Sequence, residues 1–126
     1  MNIKNFVVSA LLVFGTMVSH ALEIKPYSAT ALAQSQKAGK PVAVHFHADW
    51  CPVCRAQEKV LQGLKSEANL DITVLVANYD TEKDLKRRFN VRGQSTLVVL
   101  QGEKETARLV GDTAPGSILA ALKSAR

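Results

Sequence analysis

A chain of 126 residues, with 16 lysines and arginines against 11 acids and a net charge of +5, is one domain's worth of sequence and enough to bury a real core. The modest positive charge and 6% aromatic content, with no clustered aromatics, do not describe a nucleic-acid binder; the charge favours solubility and can steer acidic partners. The two cysteines and few histidines, without finger spacing, exclude a four-ligand structural zinc site.

Lys4 precedes an apolar run from Phe6 to Val18, broken only by Ser9, Gly15 and Thr16, and Ser19-His20-Ala21 follows. This pattern predicts a secretory signal peptide over 1–21, cleaved after Ala21, because the run is shorter than the ~20 residues that span a bilayer. Cleavage would remove one lysine and no acid, leaving a domain over 22–126.

Leu22 to Tyr27 reads as a short entry segment or edge strand. Ser28 is placed to cap a helix running to Ala38, with Leu32 inward and Gly39 as its stop. Pro41 to His47 has the apolar density of a central strand, with Val42, Val44 and Phe46 on one face and Ala43, His45 and His47 on the other. A helix then carries Val53, Ala56, Val60, Leu61 and Leu64 inward, and Arg55, Lys59 and Lys65 outward. The stretch from Asp71 to Asn78 is a second central strand, apolar enough to be covered on both faces. Thr81 and Asp84 suggest a capping box for a helix through Phe89. A strand from Thr96 to Leu100, a turn over Gln101 to Lys104 and a returning strand from Thr106 to Val110 follow. Asp112 or Thr113 caps a last helix that has Pro115 near its start and buries Ile118, Leu119 and Leu122. The order is β-α-β-α-β-α-β-β-α, an α/β fold with helices on both faces of a mixed sheet.

The only cysteines, Cys51 and Cys54, stand where the first central strand opens into a helix. A thiolate at Cys51 would face unpaired backbone N–H groups and the positive end of the helix dipole, so its pKa falls and it becomes a nucleophile. Cys54, one turn on, can close a disulfide, and Pro52 loses no helical hydrogen bond in the first turn. A purely structural disulfide across two residues would constrain little of the unfolded chain, so redox chemistry is the stronger reading.

Ala48-Asp49-Trp50-Cys51-x-x-Cys54, the approach Phe89-Asn90-Val91-Arg92-Gly93 and Gly111 together resemble the thioredoxin family over essentially the whole of 22–126. The flanks Ala48-Asp49-Trp50-Cys51, Arg55 and Glu58 are similar to the C-terminal thioredoxin-like domain of the membrane disulfide reductase DsbD. The resemblance implies a thioredoxin-like fold, with Cys51 as attacking thiol, Cys54 as resolving thiol, and Trp50 and Pro52 at the substrate rim. It implies that Glu58, on the helix face of Cys54, assists proton transfer; as a bare helix residue it is equally a solvated charge. No cofactor is implied.

Two positions depart from the family. His45 stands where most thioredoxins bury an aspartate that accepts the proton of the second cysteine. It is either an acid–base group that would favour thiolates when protonated, or a neutral hydrogen-bonded core histidine. Ser95 stands where the family places a cis-proline, beside the residue (here Gln94) whose backbone pairs with the substrate peptide. Either the fold holds a costly cis Gln94–Ser95 bond, in which case Ser95→Pro would stabilise, or the bond is trans.

The sequence therefore predicts an exported, periplasmic, monomeric thiol–disulfide oxidoreductase, leaning to reductant, acting on protein thiols and disulfides with a membrane redox partner. The alternative is a copper-handling protein using Cys51, Cys54 and a histidine, since soft thiolates suit Cu(I) and the missing proline opens access.

Overall fold

The computed structural model describes residues 12, 13, 15 and 21–126. The predicted signal peptide falls almost wholly outside the described residues. Five strands, β1 (Glu23–Pro26), β2 (Pro41–His47), β3 (Thr73–Asn78), β4 (Thr96–Gln101) and β5 (Lys104–Val110), alternate with four helices. The helices are α1 (Ala29–Lys37), α2 (Pro52–Gly63), α3 (Lys83–Arg88) and α4 (Pro115–Lys123). The sheet order is β1-β3-β2-β4-β5. β3 lies parallel to β1 and β2, whereas β4 runs antiparallel to β2 and β5.

β2 is the central strand, and its alternation separates two cores. Val42, Val44 and Phe46 pack with Leu75, Val98 and Leu100 under Leu32 of α1 and Leu85 of α3. On the other face Ala43, Val74, Leu97 and Val99 meet Leu61 of α2 and Ile118, Ala121 and Leu122 of α4. The mixed sheet with helices on both faces is thus as expected. So are the edge placement of β1 and the Ser28 cap, whose Oγ accepts from Ala31 N at 3.0 Å.

Three local expectations are corrected. In α2 the inward residues are Cys54, Gln57 and Leu61, while Val53 and Ala56 are exposed. The helix turns its thiol and amide inward at the site, so apolar spacing alone misphases its first two turns. Thr81 does not cap α3: Asn78 Oδ1 takes the amides of Asp80 and Thr81, and the N-cap Glu82 makes no side-chain cap bond. Asp112 likewise binds Ala114 N at 2.9 Å, in a turn just ahead of α4, whose N-cap is Ala114.

Candidate active site

β2 ends at His47, and Ala48 to Trp50 turn the chain so that Cys51 becomes the N-cap of α2, with Pro52 at the first helical position. Cys51 Sγ accepts from Cys54 N at 3.1 Å, the bond that a serine or aspartate oxygen makes at an ordinary N-cap. Both thiols are free and buried, Cys51 at 2% exposure and Cys54 at 0%. Trp50, at 59% exposure, stands over the rim with its indole N–H donating to Asp80 Oδ2 at 2.8 Å, and Pro52 is also exposed.

From the opposite side the loop ahead of β4 brings Ser95 to the sulfurs. Its Oγ lies 3.2 Å from Cys51 Sγ and 3.1 Å from Cys54 Sγ. No peptide bond among the described residues is cis, so Gln94–Ser95 is trans; Ser95 instead adopts φ +64°. The chain reaches this turn through a left-handed residue, a conformation that costs an L-residue about 1–2 kcal/mol. Gln94 is half-buried beside it.

Gln57 holds this conformation and was not singled out in the sequence, where it reads as an ordinary polar helix residue. Its Nε2 donates to Ser95 O and to Asp112 O, each at 3.0 Å, and its Oε1 lies 2.8 Å from His45 Nε2. With both amide hydrogens spent on carbonyls, Oε1 can only accept, so His45 carries its proton on Nε2 and donates. His45 Nδ1 is then a bare acceptor with no partner. Burial lowers the His45 pKa from 6.5 to about 4, against the hydrogen bond to Gln57 and with a smaller push from His47. At neutral pH it is uncharged, which favours the neutral core reading of this residue. Glu58 is half exposed and lies 3.7 Å from His47 Nε2, which also sits 3.1 Å from Asp49. No hydrogen bond joins Glu58 to either sulfur among the described residues.

The two thiols are inequivalent. Burial opposes ionisation of Cys51, but hydrogen bonds from the Cys54 thiol, the Ser95 hydroxyl and the amides of Cys54 and Val53 outweigh it and lower its pKa. Burial first, and then the hydrogen bond it gives to Cys51, push Cys54 up, outweighing the Ser95 hydroxyl, which on its own lowers it. One thiolate and one thiol, held side by side at a helix start, can attack a disulfide and then resolve the adduct. As for metals, no group of three His, Cys, Asp or Glu side chains converges among the described residues. The third neighbour of the sulfurs is a hydroxyl, and the Nε2 atoms of both histidines are engaged elsewhere.

A reactive dithiol delivered by a strand–turn–helix unit on this sheet defines a thiol–disulfide oxidoreductase of thioredoxin-like fold. The Thioredoxin family model matches residues 25–124, and the chain belongs to the thioredoxin family. It is 30% identical over 96 residues to a thioredoxin of Mycobacterium bovis, covering 76% of this chain and 83% of that protein. It is 31% identical to the bifunctional thioredoxin reductase/thioredoxin of Mycobacterium leprae over 76% of this chain, but spans only 21% of that longer protein. The crystal structure of Trxlp from Edwardsiella tarda superposes with a TM-score of 0.74 at 39% identity, covering 82% of this chain and all of that one.

Proposed function

We propose that this chain is an exported, periplasmic thiol–disulfide reductase of protein substrates that works as a monomer and is recharged by a membrane redox partner. The observation that carries the redox assignment is the placement of the pair: Cys51 caps α2 with its Sγ accepting from Cys54 N at 3.1 Å and the Ser95 hydroxyl at 3.2 Å, contacts that lower its pKa while burial raises that of Cys54. Cys51 attacks one sulfur of a substrate disulfide, and the other substrate sulfur leaves as a thiolate. Cys54 then loses its proton and attacks Cys51 Sγ, forming the Cys51–Cys54 disulfide and releasing the second substrate thiol. Trp50 and Pro52 supply an apolar rim, and Gln94, half-buried beside the trans bond to Ser95, would meet the substrate peptide in a groove that differs from that of a thioredoxin with a cis-proline here. His45 enters as a neutral support for Gln57, and Glu58 as a partner of His47 at the edge of the site. The apolar run ending at Ser19-His20-Ala21 supports export, and Ala48-Asp49-Trp50-Cys51 with Arg55 and Glu58 supports the reducing direction.

Expression of the full chain as Cys54→Ser in a bacterial host tests this directly. Mixed disulfides should accumulate through Cys51, and their intact mass should place the first residue at Leu22. Cys51→Ser should trap few. Equal trapping by both variants would overturn the assignment of the nucleophile.

A further inference from the structure

Ser95 is an odd choice for its position. Glycine would adopt φ +64° without strain, and asparagine at modest cost, yet a serine is held there at 4% exposure. Its backbone is fixed at three points. Ser95 N donates to Phe46 O at 3.0 Å, and Ser95 O accepts from Gly111 N and Gln57 Nε2, each at 3.0 Å. What remains free to choose a partner is the hydroxyl, and it meets both sulfurs.

We propose that Ser95 is a catalytic residue, whose hydroxyl donates its one proton to the Cys51 thiolate alongside the Cys54 thiol, and so helps to hold the charge on Cys51. A hydroxyl has one proton to give, and with Cys51 ionised that sulfur is the stronger acceptor of the two it touches. The arrangement stabilises the state with Cys51 ionised and Cys54 protonated, and a hydrogen bond to a charged sulfur is of the stronger kind. In the disulfide neither sulfur is charged and the same bond weakens. Ser95 therefore favours the reduced form and raises the reduction potential of the couple. The helix-start amides support the same charge from within α2, but Ser95 is the hydroxyl that reaches it from across the sheet. Tyr79, just past β3, packs against the cluster of Ala48 and the two cysteines, and neutral His45 is linked to Ser95 through the Gln57 amide.

This role deepens the oxidoreductase reading and rests on it, but thiolate titration decides it without any turnover. In the full chain, Ser95→Ala and Ser95→Gly both remove the hydroxyl, while only the glycine relieves the backbone. Ultraviolet thiolate absorbance against pH should show the Cys51 pKa raised by about one unit in both. Equilibration with glutathione should show the disulfide favoured about tenfold more than in the wild type, a potential about 30 mV more negative. Wild-type titration in either variant would overturn the proposal, as would loss of the effect in the glycine variant alone. Cys54→Ala, which leaves Ser95 in place, should keep Cys51 below the ~8.5 of a free cysteine. A rise to that value would also overturn it. If the wild type itself failed to exchange with glutathione, the oxidoreductase reading would fall separately.

Discussion

Ser95→Pro distinguishes the observed turn from the cis geometry that the family resemblance allowed. Proline locks φ near −65°, whereas Ser95 holds +64°, so the ring cannot be seated without rebuilding the loop. It also deletes the N–H that donates to Phe46 O at 3.0 Å, a carbonyl that the Cys54 sulfur approaches no nearer than 3.9 Å. An unsatisfied buried carbonyl costs about 1–3 kcal/mol, and displacing Ser95 O from Gln57 and Gly111 forfeits two more bonds at about 0.5–1.5 kcal/mol each. The sum is about 2–6 kcal/mol, a large part of the stability of a small domain. With a urea slope of about 1.5 kcal/mol/M, the unfolding midpoint should fall by roughly 1–4 M. An unchanged or raised midpoint would refute the trans, left-handed geometry, and with it the placement of the hydroxyl between the sulfurs.

Replacing Gln57 by leucine keeps the volume but strands His45 Nε2–H and the Asp112 carbonyl and frees one side of Ser95 O; it should cost about 2–4 kcal/mol and lower Tm by at least about 10 °C, as calorimetry would show. A Gln57→Leu protein as stable as the wild type would mean the amide is not the brace described. The pH dependence of stability should carry the mark of His45. Its folded pKa, about 4, lies below its unfolded value of 6.5, so the unfolded chain takes up the proton first and stability falls as pH drops from 6.5 to 4, by about 3 kcal/mol at full effect. Chemical denaturation across that window should show the slope in the wild type and lose it in His45→Met; an equal slope in both would point to another group.

The fold was legible where burial follows backbone period. The two faces of β2, the apolar β3 and the turn at Gln101 to Lys104 all declare themselves by alternation and by turn residues, and the cysteine pair by its place between strand and helix. What was not legible depended on partners distant in sequence. Gln57 looks like a solvent-facing helix residue until Ser95 and Asp112 arrive from the other side of the molecule. Val53 and Ala56 look like core until the helix is seen to turn Cys54 and Gln57 inward. The positive φ of Ser95 has no local signal, because nothing in Gly93-Gln94-Ser95-Thr96 says which residue must be left-handed. His45 was narrowed from two readings to one by the amide beside it, which fixes its tautomer, and by complete burial.

The pairing of β2 with β4 has a consequence for the order of events during folding. Phe46 meets Thr96 in that ladder, and the bonds from Ser95 to the cysteines span 41 and 44 residues of chain. Until that long loop closes, Cys51 and Cys54 are two thiols on a nascent strand and helix, without the hydroxyl that distinguishes them. Long-range pairings of this kind are late and slow in comparison with local helix formation. A chain still folding therefore presents a Cys51 that has only its local helix-start donors, and gains the Ser95 hydroxyl when the sheet is zipped across its centre. The full asymmetry of the pair is in this sense a report on completed folding, and the part due to Ser95 should be lost together with the β2–β4 ladder when the sheet opens.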